Sequence, residues 1–325
     1  MTDQPPLLEL PDPDVVEPWI TEPGMHLDMP EHVYHSDPVV GGSLSSTGAR
    51  TLATKTARHF DWDRRHGRPD KRELDFGRVA HARILKRGSD VAVIVGTGKD
   101  KNAWRTDADK AAVAKARAAG KTPIRHRDNE IINDMAAALR QHKTAGPLLA
   151  RPGIHESCWF WQDPATGIWC RMMADFMPHV PEGARRIIVD YKTARDASPD
   201  GFARAIDDRG YDQQGDHYED GVNVLDPREQ PAQFVLIAQE KEAPYLVTVH
   251  YLDELARARG RHRNELARRL YRDCTKSGEW PGYPEDPIET GLPAYSARRF
   301  EAEQEAALFA DDETPATTEE VGETA

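Results

Sequence analysis

Charged residues set inside apolar strands constrain this chain more than any other feature of it. Three runs carry them, Glu156 to Gln162, Ile168 to Met177 and Arg186 to Thr193, all rich in Trp, Phe, Met, Ile or Val. Aromatic and β-branched runs bounded by turn residues read as strands, and Asp163-Pro-Ala-Thr-Gly167 makes the first two a hairpin. The third run reads as a largely buried strand. Side chains alternate along a strand, so Asp190 and Lys192 leave the same face. Burying a charge is costly unless it is paired or binds a metal. Asp175, Asp190 and Lys192 therefore point to a metal-dependent active site.

A chain of 325 residues can bury a sizeable core, in one large domain or two modest ones. It has no apolar run of about 18 residues, so neither a transmembrane helix nor a membrane partner is expected. The acidic, Pro-rich N-terminus lacks the basic and apolar regions of a signal peptide. Cys158, Cys170 and Cys274 are too few and too scattered for a disulfide framework, which fits a reducing cytoplasm. The formal charge of −12 is concentrated at the ends: residues 1–40 hold nine acids and no Lys or Arg, and residues 301–325 hold the same. The other 37 acids face 43 bases, so residues 41–300 carry a net +6. Acidic ends around a basic body occur beside nucleic-acid-binding domains, and serve solubility equally well.

Residues 1–30 show no periodicity and are expected to be disordered or loosely draped. Residues 30–40 suggest an extended segment, and Ser46 or Thr47 a cap for a helix over 48–65. Apolar spacing predicts a helix over 74–85, with His81 one turn after Gly77 on its buried stripe. The small Gly77 lets another backbone or a ligand come close there. A lone histidine in such a place is more often a hydrogen-bonded core residue than a ligand. A strand at 91–95, an exposed helix at 106–119 and an amphipathic helix at 127–142 precede the hairpin. Beyond it come a short helix at 202–206 and a helix from Tyr211 to about Leu225 that puts Gln214 and Tyr218 on one face. Strands at 233–239 and 245–251 follow, then a long charged helix at 254–276, an aromatic turn at Trp280-Pro-Gly-Tyr283 and an acidic tail.

No nucleophile elbow, phosphate loop or dinucleotide fingerprint occurs; Gly96-Thr-Gly98-Lys99 follows a strand but lacks the remaining glycines. Nor is there a Cys/His cluster at zinc spacing. What remains suits metal-assisted phosphodiester hydrolysis. Mg²⁺ prefers oxygen ligands and usually takes only one or two protein carboxylates, here Asp175 and Asp190, with the Tyr191 carbonyl as a third oxygen. A metal so held polarises the scissile phosphate and acidifies a bound water. Lys192 would orient or deprotonate that water, or neutralise developing charge.

In order along the chain, Gly77-x-x-x-His81, Asp175 in Met173-Ala-Asp-Phe176, Asp190-Tyr-Lys-Thr193 and Gln214-x-x-x-Tyr218 resemble the motifs of the PD-(D/E)XK nuclease superfamily, in its RecB/RecE-like (exonuclease VIII-like) phage exonuclease branch. Ser43-Leu-Ser-Ser-Thr-Gly-Ala-Arg50 and the Trp280 turn also look like phage members, and the resemblance spans roughly residues 33–285. It implies an α/β fold with a central mixed β-sheet flanked by helices, the restriction-endonuclease-like core. It also implies that His81 joins Asp175 and Asp190 at the metal and that Lys192 is the catalytic lysine. Glu156 matches an acid of related sequences, and Gln214 and Tyr218 would contact DNA phosphates or buttress the site. The resemblance further implies Mg²⁺, with Mn²⁺ as the alternative, and 5′→3′ digestion of linear duplex DNA ends. Toroidal homo-oligomers and a single-strand annealing protein as partner belong to the same expectation. Some relatives hold an iron–sulfur cluster through four cysteines, and three cysteines here argue against one.

The expected layout is an acidic extension over 1–32, a nuclease domain over 33–299 and a disordered acidic tail over 300–325. Two other readings stay open: a catalytically weak DNA-binding or scaffolding relative, and a structure-specific endonuclease.

Overall fold

The computed structural model describes residues 19–67, 73–85 and 90–312. They fall into one unit ending at Gly282 and a second beginning at Tyr283. The first unit opens with β1 (Gly24–His26) and a helical turn, α1 (Glu31–His35), where the sequence suggests an extended segment. Then β2 (Leu44–Ser45) runs into α2 (Ser46–Thr54), because the Ser45 side chain accepts the Gly48 N–H and caps the helix. Thr56 caps α3 (Ala57–His66) in the same manner, so the helix expected over 48–65 is two helices broken at Lys55-Thr56. Next are α4 (Glu73–Leu85), β3 (Val91–Ile94), α5 (Asp107–Ala118), β4 (Thr122–Arg125), α6 (His126–Gln141) and α7 (Ala145–Leu149). The strands β5 (Gly153–Gln162), β6 (Trp169–Pro178) and β7 (Ile187–Ala194) follow. They lead to α8 (Pro199–Arg209), α9 (Tyr211–Leu225), β8 (Gln233–Glu240), β9 (Val247–Tyr251) and α10 (Glu254–Ser277).

The second unit contains α11 (Ala294–Asp312), so a helix runs into the stretch assigned to the tail. Residues 1–18 and 313–325 of the acidic ends lie outside the described residues. Residues 19–30 are not loosely draped: Ile20 is buried and bridges Val39, and β1 pairs with β5.

The main sheet is mixed, in the order β1-β5-β6-β7-β8-β9, with β2 alongside β6. β7 and β8 are parallel, and helices cover both faces. On one face β6 and β8 side chains such as Met172 and Leu236 pack with α2, α3, α9 and α10. On the other, Phe176, Val189 and Tyr191 pack with α4 and α6. Fully burying a side chain such as Ile188 contributes roughly 2 kcal/mol, so this two-sided burial fixes β7 and the charges it carries. α10 touches α9 at Gly260, where a Cβ would stand 2.4 Å from the Asp212 carbonyl.

Candidate active site

β6 and β7 pair only at Phe176 and Val189. One further step of that antiparallel register sets Asp175 opposite Asp190, and there the strands part. The Tyr191 N–H donates to Asp175 Oδ2 at 3.0 Å. The two acids predicted from separate strands thus meet at the mouth of a fork.

Across the hairpin, the pairs His155–Phe176 and Ser157–Ala174 flank Glu156 and put it opposite Asp175. Glu156 has φ 49°, the left-handed region that a non-glycine strand residue rarely occupies. The alternation of β6 slips at the same place: Cys170, Met172 and Ala174 face α9, Phe176 faces α4, and Met177 faces α9 again. Strained backbone of this kind costs of order 1–3 kcal/mol and concentrates at functional sites.

Asp190 and Lys192 share the α9 face, as strand alternation requires. The Asp190 side chain is only 2% exposed, and its Oδ2 lies 2.6 Å from Lys192 Nζ. Gln214 Nε2 donates to Asp190 Oδ1 at 2.9 Å. Burial pushes the Asp190 carboxyl up; Lys192 opposes this, Asp175 adds to it, and the result is about 6. Burial pulls Lys192 down, but Asp190 and Asp175 outweigh it and hold the ammonium at about 12. At neutral pH the pair is therefore carboxylate and ammonium. Tyr218 is buried, and its hydroxyl donates to the Met173 carbonyl of β6 at 3.0 Å. These bonds tie Gln214 to Asp190 and Tyr218 to β6.

His81 reaches the fork from α4. Its Nε2 lies 2.7 Å from the Tyr191 carbonyl, which only accepts, so the proton sits on Nε2. Nδ1 then faces Asp175 Oδ2 at 3.6 Å, and in the neutral ring both are acceptors. The gap between them suits one shared cationic partner, a proton on Nδ1 or a metal ion. The Tyr191 carbonyl expected as a metal oxygen already takes the His81 proton, which leaves its second lone pair. A Cβ on Gly77 would meet nothing within 4 Å, so among the described residues no backbone uses the gap its small size leaves.

No three His, Cys, Asp or Glu side chains among the described residues converge as a preformed metal cage. The donors nonetheless fit Mg²⁺, which keeps several waters and needs one or two carboxylates. Asp190 is buried beside a second acid with a single lysine for compensation, and the His81–Asp175 gap is lined by acceptors. Sequence reasoning overlooked Tyr211, whose ring centroid lies 5.0 Å from Lys192 Nζ. Its spacing from Gln214 and Tyr218 on α9, i, i+3 and i+7, is the signal that marks one helix face.

A family described as a PDDEXK-like domain of unknown function matches residues 44–287. No curated protein matches the chain. Among solved structures, a "putative exonuclease" from Eubacterium rectale superposes with a TM-score of 0.55 at 12% identity, covering 84% of this chain and 98% of its own. At that identity the likeness concerns the fold alone. The protein SSO0001 gives a TM-score of 0.29 at 11% identity, over 73% of this chain and 76% of its own, too low to bear on either fold or site.

Proposed function

We propose, because this chain belongs to the PDDEXK-like domain family, that it is a Mg²⁺-dependent deoxyribonuclease acting on linear duplex DNA, with its nuclease domain over residues 33–299. The observation that carries this reading is the pair of acids at the strand fork, one of them buried against a lysine ammonium. Asp175 and Asp190 would hold the ion, with His81 Nδ1 and the Tyr191 carbonyl as further candidate ligands. A divalent ion supplies Lewis acidity at a phosphodiester oxygen and acidifies a water.

The chain's own residues do the positioning. Lys192, an ammonium at neutral pH, donates to the attacking water or to a phosphate oxygen and offsets developing negative charge. Gln214 fixes the Asp190 carboxylate, and Tyr218 fixes β6 through the Met173 carbonyl. Glu156 stands opposite Asp175 in the hairpin.

The motif order favours an exonuclease of the RecE type, digesting 5′→3′ from duplex ends as a ring-shaped homo-oligomer in a host cytoplasm. Phage recombination or replication, with a single-strand annealing protein as partner, is the matching role. The test is incubation of linear and of covalently closed circular duplex DNA with Mg²⁺, using wild type and Asp190→Ala. Loss of linear DNA alone, and only with wild type, supports the exonuclease. Digestion of closed circles favours an endonuclease. Equal behaviour of wild type and variant on linear DNA sinks the enzymatic reading and leaves a DNA-binding scaffold.

A further inference from the structure

Between α4 and α6 the chain builds a small β3-α5-β4 unit whose two strands pair only with each other. Residues 91–125 carry eight Lys or Arg against three acids, a net of +5. Its inner side, through Val91 and Ile124, packs with Val79, Ala80 and Leu85 of α4. α4 has 13 residues and is therefore about 20 Å long, so the unit is docked on the helix that presents His81.

The loop from Gly96 to Arg105 is not slack. Asp109, buried at the start of α5, accepts the Thr97 N–H and hydroxyl at 2.8 Å each, and the Arg105 and Thr106 N–H groups at 3.1 and 3.0 Å. These donors hold the Asp109 carboxyl far below the usual range. The Gly96 N–H donates to the Lys101 carbonyl at 2.9 Å, and Trp104 Nε1 donates to the Ile94 carbonyl at 3.2 Å. The loop so fixed displays Lys99, Lys101 and Arg105, all exposed, and none forms an ion pair among the described residues. Elsewhere in the unit the cations are partly matched, as Lys110 is by Asp107 and Lys121 by Asp90. A solvated surface needs no such pinning, whereas a loop ordered before binding loses less entropy on meeting its ligand.

We infer that the Lys99–Arg105 loop is an auxiliary contact for the phosphate backbone of duplex DNA, outside the strand fork. This rests on the nuclease reading for the choice of DNA as ligand. Phosphate contacts position a duplex without reading its sequence and release counterions, which makes binding salt-dependent.

The test uses the full chain with Asp190→Ala, so that bound DNA survives, and measures affinity for a 30-base-pair duplex against salt. Adding Lys99→Gln, Lys101→Gln and Arg105→Gln is expected to lower affinity about tenfold or more and the salt slope by about 2 to 3. Asp109→Ala, which frees the loop but keeps its cations, should weaken binding with little change in slope. A triple variant with unchanged affinity and slope overturns the inference, even if wild type digests DNA. A lowered slope in a protein whose wild type digests nothing keeps the contact and removes the nuclease reading instead. Matching thermal melting of the variants guards against unfolding as the cause.

Discussion

Two groups of buried and half-buried acids lie on either side of α9, and they are compensated very differently. On the α10 side each acid has an arginine: Asp212 meets Arg259 at 2.6 Å, Glu219 meets Arg257 at 2.8 Å, and Asp216 meets Arg261 at 3.7 Å. Arg268 spans Asp220 at 2.8 Å and Asp163 at 3.0 Å, tying α9 and α10 to the β5–β6 turn. On the sheet side, Asp190 pairs with Lys192 at 2.6 Å, Asp175 accepts the Tyr191 N–H, and both act on that ammonium, with no arginine paired to either among the described residues. Acids paired with arginines hold helices together. Acids left with a shortage of cations at a fork between strands are arranged for something that arrives later.

The contrast can be broken most sharply at the fork itself. Asp175→Ala is expected to lower Mg²⁺-dependent hydrolysis about 1000-fold or more, the several kcal/mol that a metal contributes to a transition state. Thermal melting without metal should change little, because relief of a like-charge pair offsets the loss of the Tyr191 N–H bond to Asp175. A lower melting temperature with full activity would place Asp175 in the scaffold.

Arg268→Ala should do the reverse. Its side chain is 7% exposed, and breaking a buried pair from one side costs about 3–5 kcal/mol. Denaturant unfolding is expected to show that loss, with specific activity of the folded fraction retained.

Next comes pH. Because burial raises the Asp190 pKa to about 6 from 3.8, the folded protein favours its neutral form. Asp190 therefore contributes stability to the metal-free protein that is fully present below 3.8 and is lost as pH rises through about 6, roughly 3 kcal/mol. Mg²⁺ should reverse this trend, since it binds the ionised carboxylates. Asp190→Asn should flatten the metal-free profile, and an unaltered profile would remove Asp190 as its source. The smallest effect is expected of Arg261→Ala. That side chain is 62% exposed and 3.7 Å from Asp216, so the change should stay within about 1 kcal/mol.

Much of this fold was legible because its signals are local. The hairpin, β7, α9 and α10 follow from strand and helix periodicity, and α5 from an Ala- and Lys-rich composition that ends at Gly120. β1, β2 and β4 escaped because runs of two to four residues carry no periodicity and become strands only through their partners. α1 escaped for a related reason: a single helical turn is held by its surroundings, here Tyr34 buried beside Phe160, rather than by propensity.

At the site, the strand pattern singled out Asp175, Asp190 and Lys192, because charges on apolar strands need a partner, whereas His81, Gln214 and Tyr218 took on site roles only through the family resemblance. Tertiary structure decided the rest. Only the parting of β6 from β7 brings the two acids opposite one another, and only the docking of α4 turns His81 Nε2 to the Tyr191 carbonyl and Nδ1 to Asp175. Only the packing of α9 gives Gln214 to Asp190 and Tyr211 to Lys192. The physical reason is the range of the forces involved. Periodicity and capping act within a few residues, whereas ion pairs, desolvation and hydrogen bonds across 110 residues, as between His81 and Tyr191, exist only once the sheet and its helices have closed on one another.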